Sequence, residues 1–500
     1  MWRLNRETSD TERRITSVVL VIGVALVAAL VVRHGRSTSE RRILATVAGV
    51  ALGVRLLAIG IIYVIATRVH VEGTWLNDEA SYFLATEALM PWPWDRALPR
   101  GLDHLSGNGY LGLTSAVSLL VGSVNTTALR LTNASIGTVV ALLCAVTATA
   151  LFGRKAGLVA GLGAALWPDL ILWSATFVRD VLGSLVVIGV WWALTAGRRQ
   201  PILAVCMAFL AVVLAGTLRE YLAVAVGLGL IAWFAHPLIR RQSMRTLVAA
   251  SVGVVAVGVV AALLDVQRID AATHELFYRQ TVTRMETLGR LYRDPPPLDQ
   301  PMQLPFRPGT AIAIPDPTTG WLSAGLVEDS SEPGVVSVSL TDNTERTVPL
   351  SEVVLLQDAR IPPVQLLSWT LPSMISVFAG IPEPGDELNL GWVAAALAWD
   401  ALLVLAMFGV RRAQLPLREW LFPVCVIVVT LAVLSAVPGA PGNAERHRAT
   451  QTVPLLLVLA SGLVASRARS SAPEGRAAIS ATSMPTRATT AIASVRRSDL

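Results

Sequence analysis

Charged side chains are scarce in this sequence, and their scarcity excludes a water-soluble globular protein. Asp, Glu, Lys and Arg make up 15% of the 500 residues, whereas 53% are hydrophobic and the mean hydropathy is +0.57. A soluble chain of this length cannot bury so much apolar surface in its cores. The composition therefore predicts that a lipid bilayer is the solvent of this protein.

Cysteines are also few, and none is spaced for a disulfide framework or a zinc site. Cys144, Cys206 and Cys425 each lie in an apolar stretch. The net charge of +6 comes from arginines in short clusters between apolar runs and not on one polar face. We therefore expect no nucleic-acid partner.

Apolar runs of about the length that crosses a bilayer as a helix recur along the whole chain. They cover residues 15–32, 43–66, 131–151, 156–173, 181–196, 202–217, 221–234, 246–264, 388–408, 420–437 and 450–465. These runs predict an all-α polytopic membrane bundle of about 11 to 13 transmembrane helices. Residues 1–42 form an extra N-terminal helix with a basic loop, and the Ser-, Ala- and Arg-rich tail 467–500 is predicted to be disordered and cytoplasmic.

Positive charge in the short joints orients the predicted helices. Most of the arginine-rich joints fall on the cytoplasmic side if the runs alternate and if the short stretch 110–122 does not cross. We predict a multi-pass protein of the cytoplasmic membrane, with membrane portions 43–264 and 388–466. Its outer segments are 67–130, 265–387 and 438–448, and the active face is extracytoplasmic.

The large segment 265–387 changes character along its length. Residues 269–292 have helical apolar spacing and predict an interfacial helix. Residues 308–357 instead carry short β-type runs at 310–314, 335–340 and 353–356, separated by turn residues. This pattern predicts a small extracytoplasmic β-barrel.

Asp78 and Glu79 form an adjacent carboxylate pair in the first outer segment, at the start of a short predicted helix. Crowding two negative charges is costly, so such a pair often serves as a base, a metal site or a partner of a cation. An ordinary solvated helix N-terminus, where the helix dipole favours acids, explains the pair equally well.

Further charges stand where outer turns meet the membrane. Asp180 follows Arg179, and a pair at that depth is expected to be buried against the bundle or to line a cavity, with a structural ion pair or capping of the next helix as the alternative. Arg219 interrupts an apolar hairpin and either binds phosphate or extends to the lipid headgroups. Arg55 lies well inside its span and requires a polar partner.

The last outer loop ends in Glu445-Arg446-His447-Arg448, directly before the final helix. Two guanidinium groups and an imidazole at a helix start suit a phosphate or diphosphate, which guanidinium holds by two hydrogen bonds. The alternative is anchoring to lipid headgroups, which positive charge on an outer face disfavours.

Taken in order, these features resemble the GT-C superfamily of membrane glycosyltransferases, which includes the protein O-mannosyltransferases and the aminoarabinose transferases of lipid A. The resemblance covers residues 43–465 and rests on four features in sequence. They are an Asp-Glu-x-x-Tyr-like motif (Asp78, Glu79, Tyr82), a helix opening at Gly109-Tyr110-Leu111, Asp180 after Trp167-Pro168, and a late helix start with Arg446, Arg448 and Pro454.

The resemblance implies transfer of a sugar from a polyprenyl-phosphate-linked donor to an envelope glycan, lipid or protein acceptor, with inversion. Asp78 would be the general base, Glu79 would assist or orient it, and Asp180 would be a second acid. Residues that would bind substrate are Tyr82, Arg179, Arg219, Arg446, His447 and Arg448. Some relatives use a divalent ion, so Mg²⁺ or Mn²⁺ at the acids stays open.

Two departures and a rival class accompany the resemblance. The N-terminal helix and the small barrel are not part of the shared pattern, which leaves the acceptor open. A transporter, a lipid flippase or a polysaccharide polymerase is the alternative. A transporter is expected to show matching halves with broken helices and charges near the bilayer midplane. The halves of this chain do not match, and most of its notable charges cluster at one face.

Overall fold

The protein is described by a computed structural model that covers part of the chain. The described ranges are residues 37–69, 76–89, 109–196, 201–239, 311–315, 322–329, 334–340, 345–355, 390–436 and 443–465, with single positions at 23, 24 and 29. The predicted helices 15–32, 246–264 and 269–292 and the tail 467–500 lie outside these ranges, apart from the three single positions.

Helices dominate the described part of the chain. They are α1 (Thr38–Val69), α2 (Asn77–Leu89), α3 (Gly109–Val121), α4 (Thr126–Phe152), α5 (Arg154–Leu166), α6 (Pro168–Ala175), α7 (Asp180–Ala196), α8 (Pro201–Leu218), α9 (Glu220–Ile239), α10 (Leu390–Ala413), α11 (Leu417–Ala436) and α12 (Asn443–Ala460), which continues as a 3-10 turn, Ser461–Val464. Four of them, α1, α4, α10 and α11, are long and apolar enough to cross a membrane. A fifth span results if α5 and α6 are counted together.

The predicted span 156–173 is not one continuous helix but two helices, α5 and α6, which have the length and composition of a span only together. The chain breaks at Trp167, where α5 and α6 meet at 55°. Trp167 has extended backbone angles (φ −65°, ψ 122°) because the ring of Pro168 disfavours the helical conformation in the residue before it. Pro168 then starts α6, a position where its missing N–H costs nothing. The bend carries the chain towards the turn that precedes Asp180.

Arg55 of α1 forms hydrogen bonds to both helices that meet at this break. Its side chain is fully buried and donates from Nε to Ser174 Oγ at 2.7 Å and from the two terminal nitrogens to the carbonyls of Ala165 and Ala164, each at 3.4 Å. These carbonyls belong to the last turn of α5, where intrahelical donors are missing. The polar partner that Arg55 requires is therefore a helix C-terminus, where the dipole also favours a cation.

Gly137 of α4 lies directly beside this contact, and we expect Gly137→Ala to lower the free energy of unfolding by about 1–3 kcal/mol. An added Cβ would lie 2.6 Å from Arg55 Nε and 2.6 Å from Ser174 Cβ, so the hydrogen bond between them must shift. Thermal unfolding in detergent measures the change. Gly53→Ala on α1 is the matched control. A Cβ added at this position would have no neighbouring residue within 4 Å apart from its own helix backbone, and helix propensity favours Ala. Equal behaviour of the two variants would contradict this account of Arg55.

Helix α3 lies across one end of the bundle. Its first residue, Gly109, packs closely on Thr217 at the end of α8, and a Cβ there would lie 2.5 Å from the Thr217 hydroxyl. Its last residue connects through a short turn to Asn125, which caps α4 by accepting from the Ala128 N–H. Both ends of α3 therefore lie at the same end of the bundle, as the alternation scheme requires.

Cysteine labelling tests this arrangement in a variant whose exposed Cys206 is replaced by Ser. We expect Asp78→Cys and Ser123→Cys, which precede and follow α3, to react from one side of the membrane. Lys155→Cys, at the α4–α5 joint, is expected to react from the other side only. All three positions are exposed. If α3 crossed the membrane, positions 78 and 155 would instead react from the same side.

Positive side chains collect at the end of the bundle opposite α3. The start of α1 meets the α4–α5 joint, where Arg154 lies 3.4 Å from Glu40 in a solvent-exposed pair. The end of α10 packs on the end of α12 at Gly409 and Gly462. The exposed basic residues at these helix ends are Arg41, Arg42, Arg154, Lys155, Arg411 and Arg412. Their grouping agrees with the joints that the sequence places together.

A five-stranded antiparallel sheet follows in residues 311–355. Its strands are β1 (Ala311–Pro315), β2 (Leu322–Asp329), β3 (Val335–Leu340), β4 (Glu345–Pro349) and β5 (Val354–Leu355), in the order β4-β3-β2-β1-β5. Its small core includes Ile312, Val327, Val336 and Val338. The sequence predicted β1, β3 and β5 but not β2 and β4, because these two carry glycine or charged residues. Within the described strands, the ladder does not close into a barrel.

Candidate functional site

A buried ion pair holds α2 against the bundle. Glu79 and Arg130 of α4 are both fully buried, with Arg130 Nη2 donating to Glu79 Oε2 at 2.8 Å and Nε to Oε1 at 3.1 Å. The backbone N–H of Phe177 also donates to Glu79 Oε1 at 3.0 Å. This two-point contact is the strong form of the carboxylate–guanidinium interaction. It joins three separate parts of the chain at one carboxylate.

Asp78, the neighbour of Glu79, points the other way. It is exposed at the first turn of α2, where the helix dipole stabilises a negative charge. Successive helix residues are about 100° apart, so burying Glu79 turns Asp78 outwards. The adjacent acids therefore have different surroundings: one is neutralised by arginine, and the other is presented to solvent.

Tyr82 connects α2 to α3 and α4. Its ring meets that of the buried Tyr110 edge-on, with centroids 4.9 Å apart, and Tyr110 lies close to Asn133 of α4. Asn133 donates from its amide nitrogen to the carbonyls of Thr176 and Val178, at 2.7 and 2.9 Å. The turn 176–178, which precedes α7, is thus held by hydrogen bonds to two side chains, Asn133 and Glu79.

Asp180 forms an ion pair with Arg219, across the α8–α9 turn. Arg219 Nη2 donates to Asp180 Oδ1 at 3.0 Å, and the two side chains are 13% and 0% exposed. Arg179 donates to the carbonyl of Leu218, at 3.4 Å. Asp180 is buried, as predicted for a charge at that depth. The guanidinium of Arg219 is held by this ion pair.

Tyr82 lies within electrostatic range of this second ion pair as well as of Asp78. Burial raises the pKa of the Tyr82 hydroxyl, Asp180 and Asp78 raise it further, and Arg179 and Arg219 oppose them. The hydroxyl therefore stays protonated and remains a hydrogen-bond donor. Asp78, Arg179, Asp180 and Arg219 all lie within electrostatic range of Tyr82, and we call these five residues the acid–arginine cluster.

Arg448 lies near the start of α12 and is 7% exposed. Its guanidinium carbon is 4.7 Å from the ring centre of Trp399, and it interacts electrostatically with Asp169. Asp169 in turn accepts from the Trp167 indole N–H at 3.1 Å. Arg446 and His447 belong to the same helix, but their side chains lie outside the described residues.

Several residues of this region were not assigned a role by sequence reasoning. Arg130 is the partner of Glu79, and its signal was a charged residue at the edge of an apolar run, of the kind that made Arg55 conspicuous. Asn133 and Gln451 lie in apolar helices without any motif, so only their contacts identify them.

Within the described ranges, no three His, Cys, Asp or Glu side chains come together as a group that could hold a metal ion. Of the three acids that the sequence suggested as catalytic, Glu79 and Asp180 are paired with arginine. Comparison of the chain with protein-family models and with curated proteins finds no match.

Proposed function

We propose that this protein is a membrane glycosyltransferase that takes a sugar from a polyprenyl-phosphate-linked donor and passes it to an acceptor at the extracytoplasmic face. The observation that carries the proposal is the exposed carboxylate of Asp78, which lies beside a buried ion pair and shares Tyr82 as an electrostatic neighbour with Arg179 and Arg219. Inverting transfer needs a base on one side of the anomeric carbon and positive charge near the departing phosphate. The ordered resemblance to the GT-C enzymes supports the same reaction.

In this proposal, each charged residue has a distinct part. Asp78 removes the proton of the acceptor hydroxyl as that oxygen attacks the anomeric carbon, and the bond from this carbon to the phosphate oxygen breaks. Glu79 is a positioning residue that acts through Arg130 and the Phe177 N–H. Arg179, Arg219 and Arg448 supply positive charge for the phosphate that leaves, with Arg446 and His447 as further candidates.

The contacts of Arg55 count against the rival transporter. Its position well inside a span is the feature that would suit transport. Its guanidinium, however, donates to Ser174 and to the carbonyls at the end of α5, which is a structural role at a helix break. We therefore retain the transferase as the single proposal.

A direct test compares lipid-linked sugars and envelope glycans in intact cells with and without the protein. In cells without the protein, we expect one polyprenyl-phosphate-linked sugar to accumulate and the same sugar to be missing from one glycan, lipid or protein. If the protein were a transporter, its loss would instead leave the lipid-linked sugar on the cytoplasmic side of the membrane. Purified protein in detergent should then transfer the accumulated sugar to the affected acceptor, and failure of this transfer contradicts the proposal.

A further inference from the structure

The amide of Gln451 on α12 is buried with one end unsatisfied. The residue is 1% exposed, and its Nε2 donates to the Tyr221 hydroxyl at 2.7 Å. Its Oε1 is buried and has no hydrogen-bond partner among the described residues. Turning the amide over exchanges the two ends, so one end contacts Tyr221 and the other contacts no partner in either orientation.

Gln451 lies at the inner side of the acid–arginine cluster. It packs against Gly183, where an added Cβ would lie 3.7 Å from Gln451 Cγ, and Gly183 follows Asp180 by one turn of α7. Tyr221 is two residues from Arg219, whose guanidinium carbon lies 5.8 Å from the Tyr221 ring centre. The amide therefore continues the cluster that begins at Asp78 into the bundle.

An unsatisfied buried amide group costs about 1–3 kcal/mol, so proteins retain one where something else repays that cost. Because the open end is an acceptor in one orientation and a donor in the other, the matching ligand group is one that both donates and accepts. A hydroxyl does both. A charged phosphate oxygen accepts only, and guanidinium groups such as those of the cluster are its usual partners.

We propose that Gln451 binds a hydroxyl group of the transferred sugar, while Tyr221 holds the amide in place. The inference rests on the proposed function, since it names the part of the donor that this end of the cluster recognises. The phosphate would lie with the arginines, and the sugar would lie between Asp78 and Gln451. Recognition through a buried polar group discriminates strongly against ligands that lack the hydroxyl.

The test is ligand-induced thermal stabilisation of the full-length protein in detergent. The probes are farnesyl phosphate, farnesyl phosphate linked to mannose, glucose, galactose or arabinose, and the corresponding methyl glycosides. We expect at least one linked sugar to stabilise the wild type more than farnesyl phosphate does. The double variant Gln451→Met with Tyr221→Phe should keep the farnesyl phosphate shift and lose the sugar increment, with about tenfold weaker binding of the linked sugar.

The double variant leaves neither side chain with an open hydrogen bond, so its stability without ligand should equal or exceed that of the wild type. Thr147→Val is the matched control, because Thr147 of α4 also carries a buried hydroxyl without a partner in the described structure but lies outside the cluster. This control should keep the sugar increment. An increment with methyl glycosides alone would place the bound hydroxyl on the acceptor and would overturn the assignment of Gln451 to the transferred sugar.

Three further results overturn the inference: no sugar increment in the wild type with any probe, loss of the increment in Thr147→Val, or an unchanged increment in the double variant. An unchanged increment in the double variant means that the amide holds a buried water only. Failure of the proposed function is distinguishable from these. A sugar increment without any sugar transfer rejects the transferase and keeps the hydroxyl-binding site. Sugar transfer with an unchanged donor KM in the double variant keeps the transferase and rejects the hydroxyl-binding site.

Discussion

Glu79→Gln is expected to lower the free energy of unfolding by about 3–5 kcal/mol. The substitution leaves the Arg130 guanidinium fully buried without the negative charge that lies 2.8 Å from it. An uncompensated charge in that environment is far more costly than the loss of the pair itself. The measurement is thermal or denaturant unfolding of the detergent-purified protein, followed by the loss of helical signal.

Two further variants decide whether charge is the cause. Glu87→Gln changes the same chemical group on the same helix at an exposed position and should leave the stability unchanged. Replacing both partners, Glu79→Leu with Arg130→Met, removes the unpaired charge and should recover at least half of the loss. A Glu79→Gln protein as stable as the wild type would show that the pair does not hold α2 in place.

Asp78→Asn is expected to lower the rate of sugar transfer by about 10²–10⁴-fold while leaving the fold intact. The amide has nearly the shape of the carboxylate but cannot take the acceptor proton. Because Asp78 is exposed and its neighbour makes the buried contacts, its loss should shift the unfolding temperature little. Transfer from a polyprenyl-phosphate-linked donor measures the rate, and unfolding of the same preparation measures the stability.

The contrast between the adjacent acids makes this experiment informative. Asp78→Asn should lose turnover and keep stability, whereas Glu79→Gln should lose stability first. Glu87→Gln is again the control, with unchanged turnover. Normal turnover in Asp78→Asn would reject this residue as the base, and a large fall in its stability would instead indicate a structural role.

The amino-acid sequence by itself determined that the chain is mostly helical with membrane-length apolar helices, and it determined the approximate bounds of those helices. The predicted runs 43–66, 131–151, 388–408 and 420–437 correspond to α1, α4, α10 and α11. Such runs are readable because the cost of placing a side chain in lipid depends on the side chain itself. The short β-type runs were readable because short runs of strand-forming residues between turn residues are also a local pattern. The break at Trp167-Pro168 could have been predicted from the effect of proline on the residue before it, but it was missed.

Only the tertiary structure decided which charges meet. Glu79 and Arg130 are separated by 51 positions and Asp180 and Arg219 by 39, and no local pattern relates the members of either pair. The sequence grouped Asp78 with Glu79 and Arg179 with Asp180, whereas helix packing gives Glu79 and Asp180 to distant arginines and turns Asp78 outwards. The partner of a buried charge depends on how the helices cross, and that is set by the packing of all of them together.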